Sequence, residues 1–196
     1  MENIKQIIDS LGIETSLNLE EIPKIDLYMD QVIQLFENKF SESKRNEEDK
    51  ILTKTMINNY AKGKLIFPIQ NKKYSKEHLI LISLIYQLKG ALSINDIKVT
   101  LNGINKKIIL GDIDLDSFYK SYLHLTRQNT ADFKTAIDER VKDVKEEIHE
   151  DTQEDASYLE KVMMISSLVH MSNLYRKAAE KLVDEIVVEK EGKRQK

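Results

Sequence analysis

The chain has no cysteine and no tryptophan, and only two prolines and six glycines in 196 residues. Without cysteine there is no disulfide, no thiolate zinc site, no cysteine nucleophile and no thiol redox sensor. With so little glycine and proline to interrupt them, long helices are expected. Long apolar runs are missing too: none reaches the roughly 18 residues that a membrane span needs. Residues 1–12 mix charged and apolar types and contain no signal-peptide core, so a cytoplasmic protein is expected. There is no phosphate-cradling glycine loop, no G-x-S-x-G, no H-E-x-x-H and no pair of histidines at metal-ligand spacing. Neither an enzyme nor a cofactor or metal centre is therefore expected.

What is present is a hydrophobic fraction of 41%, enough for a core, and a charged fraction of 32%. The net charge of -3 hides an asymmetry. Residues 51–110 hold ten lysines against two acids, +8, so the remainder carries -11. A polyanionic partner would meet one basic stretch on an otherwise acidic protein. A solvated lysine-rich face would give the same count.

Ile4, Ile7, Ile8 and Leu11 predict a short amphipathic helix over 2–11, ending at Gly12. Pro23 keeps Ile22 extended. Asp26 is a candidate N-cap for a helix over 27–39, with Leu27, Met29, Val32, Ile33, Phe36 and Phe40 on its inner side. Residues 41–50, SESKRNEEDK, contain nothing apolar and read as an exposed loop. Thr53 opens a short helix over 53–62, and Gly63 closes it. Residues 65–74, LIFPIQNKKY, read as a two-stranded hairpin with its tip at 70–73. Ser75, with Glu77 and His78, starts the next helix, 76–89, which is apolar nearly all round and should be the centre of the core. Ser93 caps a helix that Gly103 is expected to end, leaving 104–113 irregular or a short strand. No glycine or proline lies between Gly111 and Gly192, so two long helices follow, about 115–149 and 156–190, broken at HEDTQED. Ile137, Val141, Val144 and Ile148 recur at spacings of 4, 3 and 4. The apolar side of the last helix, from Leu159 to Ile186, is too broad for one helix to cover.

The order of elements over 27–103 resembles the winged helix-turn-helix of MerR regulators. Tyr60 followed by AKGKLIFP looks like the end of their recognition helix, KKYSKEHL like the exit of their wing, and IYQLKGALSINDIK like the helix pair behind it. Asn58 stands where those proteins usually carry arginine, and Lys64 where they carry glycine. The segments IPKIDLYMDQVIQLF, NNYAKGKLI and YSKEHLILISLIYQLKG are similar to a little-characterised bacterial domain-of-unknown-function family with a MerR-like DNA-binding region, some of whose members are proposed repressors. The likeness covers about residues 20–105.

It implies a mostly α protein in three parts: an N-terminal helical arm (1–21), a MerR-like winged helix-turn-helix with a small β-hairpin wing (22–110), and a C-terminal long-helix hairpin for dimerisation (111–196). The expected function is a sequence-specific transcriptional regulator, a repressor, binding double-stranded DNA as a homodimer. The alternative is an adaptor that turns the same basic face towards an acidic protein. Thr53, Thr55, Asn58 and Asn59 are the candidate base readers, Lys54, Lys62 and Lys64 the flanking phosphate contacts, and Asn71, Lys72 and Lys73 the wing tip. Tyr60 and Tyr74 can donate to phosphate, or serve as core aromatics. Any small effector would bind the helical half; the sequence does not identify it. His149 and the acids around it read as a polar turn rather than a cation site, lacking the EF-hand glycine. Asp112, Asp114 and Asp116 read as partners of a helix N-terminus.

Overall fold

The structure, a computed structural model, describes residues 4–148 and 155–194. Among these residues are seven α-helices: α1 (Ile4–Asp9), α2 (Met29–Phe40), α3 (Lys54–Lys62), α4 (Lys76–Leu88), α5 (Ile94–Leu110), α6 (Leu115–Glu147) and α7 (Ala156–Arg194). A single antiparallel sheet joins β1 (Leu27–Tyr28) to β2 (Lys73–Tyr74).

α4 is the hub, as its all-round apolar sequence implies. Every residue from His78 to Ile85 is buried. Around it pack Val32, Phe36 and Phe40 of α2, Ile57 and Tyr60 of α3, Ile97 and Leu101 of α5, and Leu115, Tyr119 and Leu123 of α6. Leu17, from the N-terminal segment, is fully buried in the same cluster. Each such aliphatic or aromatic side chain contributes about 1.5–3 kcal/mol on burial. A second, smaller cluster joins Ile8 of α1, Ile137 and Val144 of α6, and Met164 of α7. It contains the heptad-like set, with Val141 and Ile148 packed at its edge. α7 packs against both α5 and α6. Even so, Ile165, Val169, Tyr175, Leu182 and Val188 on α7 are more than half exposed.

Three expectations are corrected. The helix expected from residue 27 begins at Met29, because Leu27 and Tyr28 are extended and pair with Tyr74 and Lys73. The hairpin expected over 65–74 shrinks to a single bridge, Gln70 to Lys73; the lasting partner of β2 is β1, more than forty residues away in sequence. Gly103 does not end α5, which runs on to Leu110 and replaces the irregular or strand segment expected at 104–113. Ile97, Leu101, Ile104, Asn105 and Ile108 keep the helical period across the glycine. The exposed backbone there costs only about 1 kcal/mol relative to alanine. The helix stops instead at Gly111, whose φ of 73° is the left-handed cap. The expected α6–α7 break and His149 fall at 149–154, outside the described residues.

Candidate nucleic-acid interface

α3 begins where Thr53 Oγ1 accepts a hydrogen bond from the Met56 amide at 3.1 Å. Its inner side is Ile57 and Tyr60. Its outer side, spaced i, i+1, i+4, i+5 and i+8, presents Lys54, Thr55, Asn58, Asn59 and Lys62, all exposed. That face has amide, hydroxyl and ammonium groups and no acid.

The end of α3 shows how the loop beyond it is aimed. The Leu65 amide donates to the Tyr60 carbonyl at 2.9 Å, and the Lys64 amide to Ala61 at 3.0 Å. This 6→1 and 5→2 pair is a Schellman cap. Its left-handed position, usually glycine, is Lys64, with φ 58°. The glycine stands one residue earlier. A Cβ on Gly63 would lie 2.7 Å from Leu65 Cδ1 and 2.9 Å from the Asn59 carbonyl oxygen. Close approach thus explains Gly63, and burial of Leu65 beside Tyr60 pulls the chain back under the helix. Asn105 of α5 fixes this return: its Nδ2 donates to the Leu65 carbonyl at 2.9 Å and to Leu101 at 3.0 Å.

At the next reversal the Lys73 amide donates to the Gln70 carbonyl at 2.9 Å. The two central residues, Asn71 and Lys72, have φ of 50° and 59°. Both signs match a type I′ turn, in which the second position ordinarily favours glycine. Asn71 and Lys72 are exposed at its tip. Lys73 is half-buried, its ammonium 5.3 Å from the centre of the Tyr28 ring across the β1–β2 pair. Two residues on, Asp30 pairs with Lys54 at 2.7 Å, both side chains largely in solvent. The start of α2 therefore stands between the start of α3 and the 70–73 turn, and joins them into one surface. Tyr28 and Asp30 went unassigned in the sequence because their place depends on this long-range pairing.

Ten of the twelve candidate residues are at least partly accessible. The exceptions are Tyr60 and Tyr74, 4% and 2% exposed. Both are core aromatics, and burial raises the pKa of each hydroxyl. Other lysines of the basic stretch are committed elsewhere. Lys76 pairs with Asp116 at 2.5 Å. Lys89 donates to the Ile51 carbonyl at 3.0 Å, and burial lowers its pKa. Among the described residues no acid pairs with Lys62, Lys64 or Lys72. Asp114 caps α6, accepting from the Ser117 amide at 3.0 Å, as its place before a helix suggested.

The loop is anchored to α4 by His78. The Ser75 amide donates to Nδ1 at 3.1 Å, so Nε2 carries the proton and donates to the Phe67 carbonyl at 3.2 Å. The imidazole stacks on Phe67 with ring centres 3.8 Å apart, and desolvation lowers its pKa. Phe67 is thereby held from behind while the turn beyond it faces outward.

One family model matches the chain, over residues 17–122, and is described as a domain of unknown function (DUF1836). No curated protein and no solved structure matches.

Proposed function

The chain belongs to the DUF1836 family, and we propose that it is a sequence-specific DNA-binding transcription regulator, a repressor, working as a homodimer. In this reading α2 and α3 form a helix-turn-helix with a long connection, and the 64–74 loop is its wing. Asn58 and Asn59 of α3 enter the major groove, where an asparagine amide can pair bidentately with adenine. Lys54, Lys62 and Lys64 meet phosphates at the two ends of α3. Asn71 and Lys72 run along the adjoining backbone.

One observation carries the reading. Among the described residues, the non-glycine positions with positive φ are Lys64, Asn71 and Lys72, all in this loop. Such a conformation costs an L-residue about 1–2 kcal/mol. For folding alone, glycine is the better choice at 64 and 72. Placing exposed lysines there sacrifices stability to keep a charged side chain at two defined backbone positions, a pattern found at binding sites. A merely solvated lysine face has no reason to occupy those two positions. The exposed apolar residues of α7 support a second copy of the chain as the other partner. Two-fold pairing would present two α3 helices to successive major grooves.

The test is fluorescence anisotropy with a mixed-sequence duplex. Binding is expected to weaken steeply with salt, by about 0.9 logarithmic units per phosphate contact for each tenfold rise in salt. Lys72→Glu with Lys73→Glu should weaken it further while the domain stays folded, checked by circular dichroism; Lys73→Glu also removes the ammonium from the Tyr28 ring, so a small drop in melting temperature is expected. No binding at about 50 mM salt, where non-specific contacts are strongest, would discard the DNA reading and leave an adaptor for an acidic protein.

A further inference from the structure

A cavity of about 600 Å³ lies between the 13–16 segment, α4 and α6. Small-molecule sites typically measure about 300–1,000 Å³. Its floor is a pair of hydroxyls. Tyr119, fully buried, gives its one proton to the Leu17 carbonyl at 2.8 Å. Ser83, whose oxygen is 3.0 Å from Tyr119 Oη, must then donate to that oxygen. Ser83 thus keeps lone pairs with which to accept a hydrogen bond. Tyr122, Leu123 and Ala131 add apolar wall.

The rim carries two cations, Arg127 and Lys134. They are two turns apart on α6, about 10 Å along its axis. Both are engaged by the segment that crosses the cavity. Arg127 Nη2 donates to Asn18 Oδ1 at 2.9 Å. Lys134 Nζ donates to Glu14 Oε1 at 2.5 Å, with Asp9 at 3.9 Å. Glu14 is the single acid among the lining residues, and its side chain is largely in solvent. A carboxylate of the chain itself therefore stands where an external anion would. Exposed ion pairs of this kind are held weakly and exchange readily.

The geometry points to a ligand site in this cavity for a small organic anion, a carboxylate or phosphate ester with an apolar or aromatic body and a hydrogen-bond donor. The anionic group displaces Glu14 from Lys134; Arg127, two turns away, leaves Asn18 and swings towards Lys134 to bring its planar fork, which suits both oxyanions, to the same group. The body lies along Tyr122 and Leu123, and the donor reaches Ser83. Occupancy and the Glu14–Lys134 pair exclude one another. This site is independent of the DNA reading, since its binding is measured without DNA.

The test is a ligand-observed NMR titration of the full chain, wild type and Glu14→Gln, with three probes. These are AMP (phosphate ester, ring and hydroxyls), 4-hydroxyphenylacetate (carboxylate, ring and hydroxyl) and inorganic phosphate (anion alone). At least one ring-bearing probe should bind saturably and more tightly than inorganic phosphate. Which one binds identifies the oxyanion. Glu14→Gln should tighten that binding about fivefold by removing the internal competitor. Lys134→Gln should weaken it about tenfold, and Arg127→Lys should weaken it while preserving the charge and the fold, checked by circular dichroism. The site is overturned by any of three results: no saturable binding in either chain, no tightening in Glu14→Gln, or equal binding of inorganic phosphate.

Discussion

Replacing Lys64 by glycine separates folding from binding at one atom's distance from the backbone. The lysine occupies the left-handed position of the α3 cap at φ 58°. Relief of the Cβ–carbonyl clash there is worth about 1–2 kcal/mol. Glycine returns about 0.5–1 kcal/mol through the extra freedom it gives the unfolded chain. The difference predicts a net gain of about 1 kcal/mol, or about 2–4 °C in melting temperature for a chain of this size. DNA affinity should move the other way. Removing one lysine–phosphate interaction at about 0.1 M salt costs roughly eightfold, and the salt slope should fall by about 0.9. Thermal denaturation followed by circular dichroism, with anisotropy on the same preparations, measures both. The pairing of greater stability with weaker binding is the distinctive outcome. A Lys64→Gly chain that melts lower would refute the cap geometry. One that melts higher but binds as before, with an unchanged slope, would remove Lys64 from the interface. Gly63→Ala serves as the internal contrast: it should lower stability, because its Cβ meets Leu65 Cδ1 and the Asn59 carbonyl oxygen at 2.7 and 2.9 Å.

Two further outcomes follow from the supports behind the loop. Folded His78 holds its proton less tightly than in the unfolded chain, whose value is near 6.5, so its contribution is intact above about pH 6.5 and is lost as pH falls through the lowered folded value; melting curves should show wild type losing more stability than His78→Gln between about pH 7 and about pH 5, and parallel losses would show that another group titrates. Asn105→Ala leaves the Leu65 carbonyl without its side-chain donor and should cost about 1–3 kcal/mol, with faster amide exchange at residues 64–66; unchanged exchange there would mean that Leu65 burial alone holds the turn.

Local signals carried much of the helical frame. Thr53 before a polar-apolar helix, Ser75 before a continuous apolar one and Ser93 before the next each mark a start that the structure keeps. These starts are legible because capping acts within three residues. The sheet was not legible, since nothing near Leu27 or Tyr28 announces that their partners are Tyr74 and Lys73. A two-residue strand has too short a pattern to compete with the helical period that follows it. Gly103 misled for a different reason. Glycine is a strong punctuator, but the packing of Leu101, Asn105 and Ile108 outweighs its modest helical penalty. Tyr60 and Tyr74 had two readings in sequence, and the difference was burial, which depends on the whole core. The composition of the candidate surface could be read from α3 and the basic turn. Its continuity could not, because Tyr28 and Asp30 enter it through the sheet and an ion pair.

The basic loop is therefore held in place by contacts outside itself. β1 ties its far end to the start of α2, Asn105 ties its near end to α5, and His78 holds its middle to α4. Leu65 and Ile66 are buried within it, so loosening the loop would expose core side chains. Each flexible side chain or loop residue that must be ordered on association costs affinity. A loop already held in place costs little more when it meets a phosphate backbone. The left-handed lysines fit the same logic. A glycine at 64 or 72 would relieve strain, but would leave that place on the surface without charge. The exposed polar face of α3 alone is compatible with an ordinary helix surface. It is the combination of that face with lysines at left-handed positions on an anchored loop that supports the proposed groove-binding surface over a solvated one.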